Sequence, residues 1–171
     1  MSKTRKRPST NIPKKYVPQT LSRKNQAIQK KEVLKSRKYY KKGQYHTRRK
    51  LKGVAKKRSS HIKNAFDIYK INSIAPSPEL SKATGCSLKV LELIQKKGQG
   101  AYYSSGSRPN QTAHSWGNAR LASSVTGGKS SVVDYSLLVE GCNKNSIALK
   151  LSRKAMKKHG RRLRRTAKIS N

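Results

Sequence analysis

The stretch KKGQGAYYSSGSRPNQTAHSWGNARLASSVTGG, residues 96–128, decides how the rest of the chain is read. It holds the only tryptophan, Trp116, and the adjacent pair Tyr102 and Tyr103, set between segments with helical apolar spacing. Gly98 and Gly100 predict the end of a helix, because glycine reaches positive φ without a steric penalty. Residues 104–110 then read as a loop. Thr112 stands where it can cap a second helix carrying Trp116, Ala119, Leu121, Ala122 and Val125, which Gly127 and Gly128 stop. The loop is thus held between two helices.

Upstream, Ser87 caps a helix with Leu88, Leu91 and Ile94 on one face. Before it, Ser77-Pro78-Glu79 is an N-cap, a first-turn proline and an acid in sequence, and Gly85 closes that short helix. Ser60 caps a helix in which Ile62, Ala65, Phe66 and Tyr69 share a face. Residues 21–42 place Ala27, Ile28, Val33, Leu34 and Tyr39 at loose helical spacing among lysines, with Gly43 as the stop. Residues 44–58 read as an extended or short-stranded linker. Downstream, Ser130 or Ser131 caps a helix through Val132, Val133, Tyr135, Leu138 and Val139 that ends at Gly141. Asn145 caps a last helix of Ile147, Ala148, Leu149, Leu151, Ala155 and Met156, whose apolar face fades into basic residues.

The expected fold is all-α: a small multi-helix domain with a basic N-terminal arm and a basic C-terminal tail. The divisions are a proline-containing arm over 1–20, a basic helix and linker over 21–58, a compact helical domain over 59–152 and a basic helix or tail over 153–171. Forty-two Lys and Arg against six Asp and Glu give a net charge of +36. Such self-repulsion implies a polyanionic partner: nucleic acid, an acidic protein surface or anionic headgroups. The arm's Lys3, Arg5, Lys6, Arg7, Lys14 and Lys15 read either as a partner-gripping set or as a solvated tail.

Residue chemistry points away from an enzyme. Glu32, Asp67, Glu79, Glu92, Asp134 and Glu140 are scattered singly, whereas metal-dependent phosphoryl transfer calls for clustered carboxylates. Ser104 or Ser105 with His114 and Asp134 lacks a nucleophile elbow. Cys86, Cys142 and His114 lack the close paired spacing of a zinc site, so no cofactor is expected. The two cysteines read as free thiols in a chain with no secretory signal core. No apolar run approaches the roughly 18 to 20 residues that cross a bilayer.

Two sets of side chains remain as binding candidates. Arg108, Asn110, Gln111, His114, Trp116, Asn118 and Arg120 offer donors for phosphate, a base edge or a neighbouring chain, with Tyr102 and Tyr103 as flat faces. The competing reading places Trp116, Leu121 and Tyr103 in the core and uses Asn110 and Gln111 as local caps. PELSKATGCSLKVLELIQKKG, residues 78–98, is similar to a helix-turn-helix, with Lys89, Gln95, Lys96 and Lys97 facing a groove or phosphates. Two short helices joined at a glycine are also common in any small helical domain.

The run GSRPNQTAHSWGNARLAS, extended through SRKYYKKGQYHTRRK, SSHIKNAFDIYKI and ATGCS, resembles an uncharacterised basic domain family of large double-stranded DNA viruses, including those of algae. The resemblance covers roughly residues 35–152. It implies a viral origin and a late, virion-associated role rather than any chemistry. The resulting expectation is a non-enzymatic minor capsid protein, made in the infected host cell and located in the virion. Its basic arms would tie acidic surfaces of major and minor capsid proteins together. DNA binding or genome condensation is the alternative, and anionic inner-membrane headgroups are a further possible contact.

Overall fold

The computed structural model describes residues 11–160. The regular structure among them is helical, as expected. A 3-10 turn at Lys14–Tyr16 precedes α1 (Arg23–Tyr40), α2 (Ser60–Tyr69), α3 (Pro78–Thr84), α4 (Leu88–Ser104), α5 (Ala113–Val125), α6 (Lys129–Val133), α7 (Tyr135–Gly141) and α8 (Ile147–His159). No helix in this set is long and apolar enough to cross a membrane.

The helix starts follow from side-chain caps. The hydroxyls of Ser77, Ser87 and Thr112 accept from the backbone N–H of Leu80, Val90 and Ser115 at 3.1, 3.4 and 3.0 Å. Ser115 returns the contact to the Thr112 N–H, completing a capping box. Two predicted caps shift by one residue. Ser59 rather than Ser60 precedes α2, and Ser146 rather than Asn145 caps α8 by accepting from the Leu149 N–H.

Gly98 and Gly100 do not end a helix; α4 runs through both to Ser104. A Cβ on Gly98 would lie 2.7 Å from the Cα of Gly117, and one on Gly117 would lie 2.8 Å from the Gln95 carbonyl oxygen. These two glycines let α4 and α5 cross backbone to backbone. The turn comes later, at Gly106, whose φ of +117 suits a residue without a Cβ. The single helix expected after Gly128 is two helices, α6 and α7, meeting at Asp134. The Asp134 side chain is buried and pairs with Lys97 and Arg120.

The main core lies where α4 crosses α5, with α2, α3, α7 and α8 around them. Leu91, Ile94, Leu121, Ala122, Leu138 and Leu149 are buried there. Cys86 and Cys142 face this core and form a disulfide, which corrects the reading of them as free thiols. The sequence separation of 56 hid their proximity. Two backbone hydrogen bonds, Ser87 N–H to Gly141 O at 2.7 Å and Asn143 N–H to Gly85 O at 2.8 Å, bring the α3–α4 and α7–α8 junctions together.

The division of the chain also changes. A second cluster buries Ile12, Tyr16, Val17 and Val33, with Trp116 packed on it. Residues 11–20, assigned to an arm, therefore pack on α1 and α5. Buried Gln29 donates to the carbonyl oxygens of Tyr16 and Ser107 at 3.1 and 3.2 Å. Arg37 donates to those of Asn11 and Ser105. Residues 1–10 of the arm, with Lys3, Arg5, Lys6 and Arg7, and residues 161–171 of the tail lie outside the described residues.

Candidate functional site

The predicted polar residues are neighbours in sequence, but three different structures use them. Arg120 makes a two-pronged contact with Asp134, Nε to Oδ2 at 2.9 Å and Nη2 to Oδ1 at 2.7 Å. Lys97 Nζ lies 2.9 Å from the same carboxylate, and Ser124 Oγ donates to it at 2.8 Å. Asp134 is 0% exposed. Burial alone would raise its pKa. The hydrogen bonds from Arg120 and Lys97 outweigh that and hold the carboxyl below its usual value. Lys97 is thus committed to a buried carboxylate, while Lys89 and Lys96, on the same helix, remain exposed.

Asn110 and Gln111 fasten residues 44–58 rather than cap a helix. Asn110, at a positive φ of 58, accepts from the Leu51 N–H at 2.7 Å. It donates to the carbonyls of Leu51 and Val54 at 3.0 and 2.6 Å. Gln111 donates to the Lys57 carbonyl at 2.8 Å. No strand forms in this segment, yet its Arg48 is buried. The Arg48 guanidinium stands 3.7 Å from the Tyr102 ring centroid. It donates to the Tyr102 carbonyl at 2.7 Å and to Ser107 Oγ at 2.6 Å. Burial lowers its pKa, but an arginine retains its charge at neutral pH.

Trp116 meets Tyr16 edge to face at 5.8 Å. His114 is exposed and lies 3.3 Å from Asn118 Nδ2, and Asn118 Oδ1 accepts from Gln95 at 2.6 Å. Arg108 is half-buried and Tyr102 buried, while Tyr103 reaches the surface. Lys14 and Lys15 are exposed on the 3-10 turn.

The surface itself is basic and carries tyrosines. Among the described residues Asp134 forms ion pairs with Lys97 and Arg120, and Glu32 lies 3.0 Å from His46, an ion pair when the imidazole is protonated. The lysines of α1 and α8 are exposed. Beside the end of α1, Tyr40 and Tyr103 lie parallel with centroids 6.4 Å apart. Tyr45 tilts against Tyr103 at 4.9 Å. Sequence reasoning offered Tyr103 as a flat face and weighed Asp134 only as a triad member or one of the scattered acids, and it did not single out Arg48, Tyr40 or Tyr45. Asp134 had a signal, a lone acid within the apolar run of residues 132–139; Arg48 sat in a segment without period and had none.

No curated protein and no solved structure matches the chain. A family of unknown function, DUF5824, matches residues 13–145, a span that includes the 3-10 turn, α1 and the segment held by Asn110 as well as α2 to α7. The chain belongs to DUF5824.

Proposed function

We propose that the protein is a non-enzymatic nucleic-acid binder that grips phosphates with its lysines and arginines. One observation carries this reading: forty-two basic residues meet six acids, and two of those acids are engaged internally, Glu32 by hydrogen bonds with His46 and the Arg49 N–H and Asp134 by ion pairs with Lys97 and Arg120. The positive charge left over matches duplex DNA, with one negative charge per about 1.7 Å of axis. In the setting that the viral resemblance implies, the nucleic acid is the packaged genome. On α4, Lys89 and Lys96 are the residues a helix-turn-helix would present, together with the lysines of α1 and α8.

The minor-capsid reading ranks second on packing grounds. A tie laid into protein grooves draws strength from apolar residues of its arm, and Ile12, Tyr16 and Val17 are already buried within the chain. The experiment compares binding of duplex DNA with binding of poly-glutamate carrying the same number of charges. The expected result is tighter binding of DNA, because its higher linear charge density releases more counterions. Equal or tighter binding of poly-glutamate would favour acidic protein surfaces and overturn the nucleic-acid reading.

A further inference from the structure

Tyr45 is 72% exposed, and Tyr39 and Tyr40 are each 37% exposed. Tyr40 and Tyr45 form an aromatic group with Tyr103 at the end of α1, while the Tyr39 ring meets His46 at 5.5 Å. Tyr40, Tyr45 and Tyr103 lie within 4.9 to 6.4 Å of one another, centroid to centroid. The group has a rigid base. Tyr103 stands perpendicular to buried Tyr102 at 5.0 Å, and the Arg48 guanidinium lies over the Tyr102 ring at 3.7 Å. Ser36 Oγ donates to the Tyr103 carbonyl at 3.2 Å, tying this turn of α4 to α1. Gly100 leaves room above it, since a Cβ there would meet only the Tyr40 hydroxyl at 3.6 Å.

The sequence around these rings is cationic, with exposed Lys38, Lys41, Lys42 and Lys50 and with Lys35 Nζ 5.8 Å from the Tyr39 ring centroid. Positive charge excludes a cationic ligand for the rings and favours a polyanion that also carries flat apolar faces. Unpaired bases meet both conditions: every base has a π-face, and its phosphate suits a neighbouring lysine. A duplex hides those faces within its stack. We propose that Tyr40, Tyr45 and Tyr103 form a stacking platform for single-stranded nucleic acid. The proposal rests on the nucleic-acid reading above and adds a strand preference to it.

The test measures the binding of the full chain to an oligothymidylate, to an abasic deoxyribose-phosphate oligomer of equal length and to duplex DNA, at one fixed low salt. The proposal expects oligothymidylate to bind more tightly than the abasic oligomer. Tyr45→Ala should weaken oligothymidylate binding from about fivefold to about a hundredfold. Tyr45→Phe should restore it, and binding to the duplex should stay within about twofold. Tyr45 is exposed enough that an unchanged melting curve should confirm folding of both variants. Equal binding of the thymidylate and abasic oligomers, or a Tyr45→Ala chain that loses duplex and single strand alike, would overturn the platform while leaving the basic surface intact. Failure of the parent chain to bind any of the three would remove both readings.

Discussion

Asp134 is the acid that the described structure buries completely. Its carboxylate is fully buried and is held by Arg120, Lys97 and Ser124, so removing its charge leaves half-buried Arg120 without its counter-ion. Breaking a buried pair in this way costs about 3 to 5 kcal/mol, and Asp134→Asn should lower stability at neutral pH by that order in urea unfolding. The pH dependence has a definite sign. The folded-state pKa lies below the unfolded one, so the stabilisation is fully present above the unfolded value of about 3.9 and is lost as pH falls through the lower native value. Glu32 contributes with the same sign: burial opposes its ionisation, and the hydrogen bonds from His46 and the Arg49 N–H overcome that. The gap between parent and Asp134→Asn should therefore begin to narrow below about pH 4 and close as pH falls through the native value. A gap that stays constant to lower pH would show that the carboxylate charge is not what Asp134 supplies.

Among the elements, α4 offers a matched pair of tests. Gly98 faces the Gly117 backbone at a distance no Cβ tolerates, whereas Gly100, two residues on, has space. Gly98→Ala should destabilise by about 1 to 3 kcal/mol through overpacking. Gly100→Ala should stabilise by up to about 1 kcal/mol through helix propensity. Chemical denaturation of both variants checks the contrast, and two changes of the same sign would contradict the crossing. The pair also shows what could be read in advance. Caps at Ser77, Ser87 and Thr112 were legible because a cap is a contact within three residues. Whether a glycine serves a turn or a helix crossing depends on what passes over it, and α5 is not visible from α4's own sequence. For the same reason Ile12, Tyr16 and Val17 looked like part of a free arm: with no period to mark them, only their packing with Val33 of α1 and with Trp116 gives them a place.

On the scale of the whole molecule, the helices build a small core and leave nearly all of the charge outside it. The all-α class followed from apolar spacing and stop signals, while the candidate site did not. The polar set around Trp116 is mostly internal fastening, with Asn110 holding Leu51 and Val54 and Arg120 holding Asp134. What remains outward is a lysine-rich surface and a group of tyrosines drawn from three parts of the chain. Binding to duplex DNA measured across salt concentration tests the central claim most directly. The account predicts a linear fall of log affinity with log salt, at about 0.9 per phosphate neutralised and several units in all. Neutralising exposed Lys89 or Lys96 should reduce the slope by about one each if α4 meets phosphates. An affinity that is flat across the same salt range, or no measurable affinity at its low end, would contradict the claim.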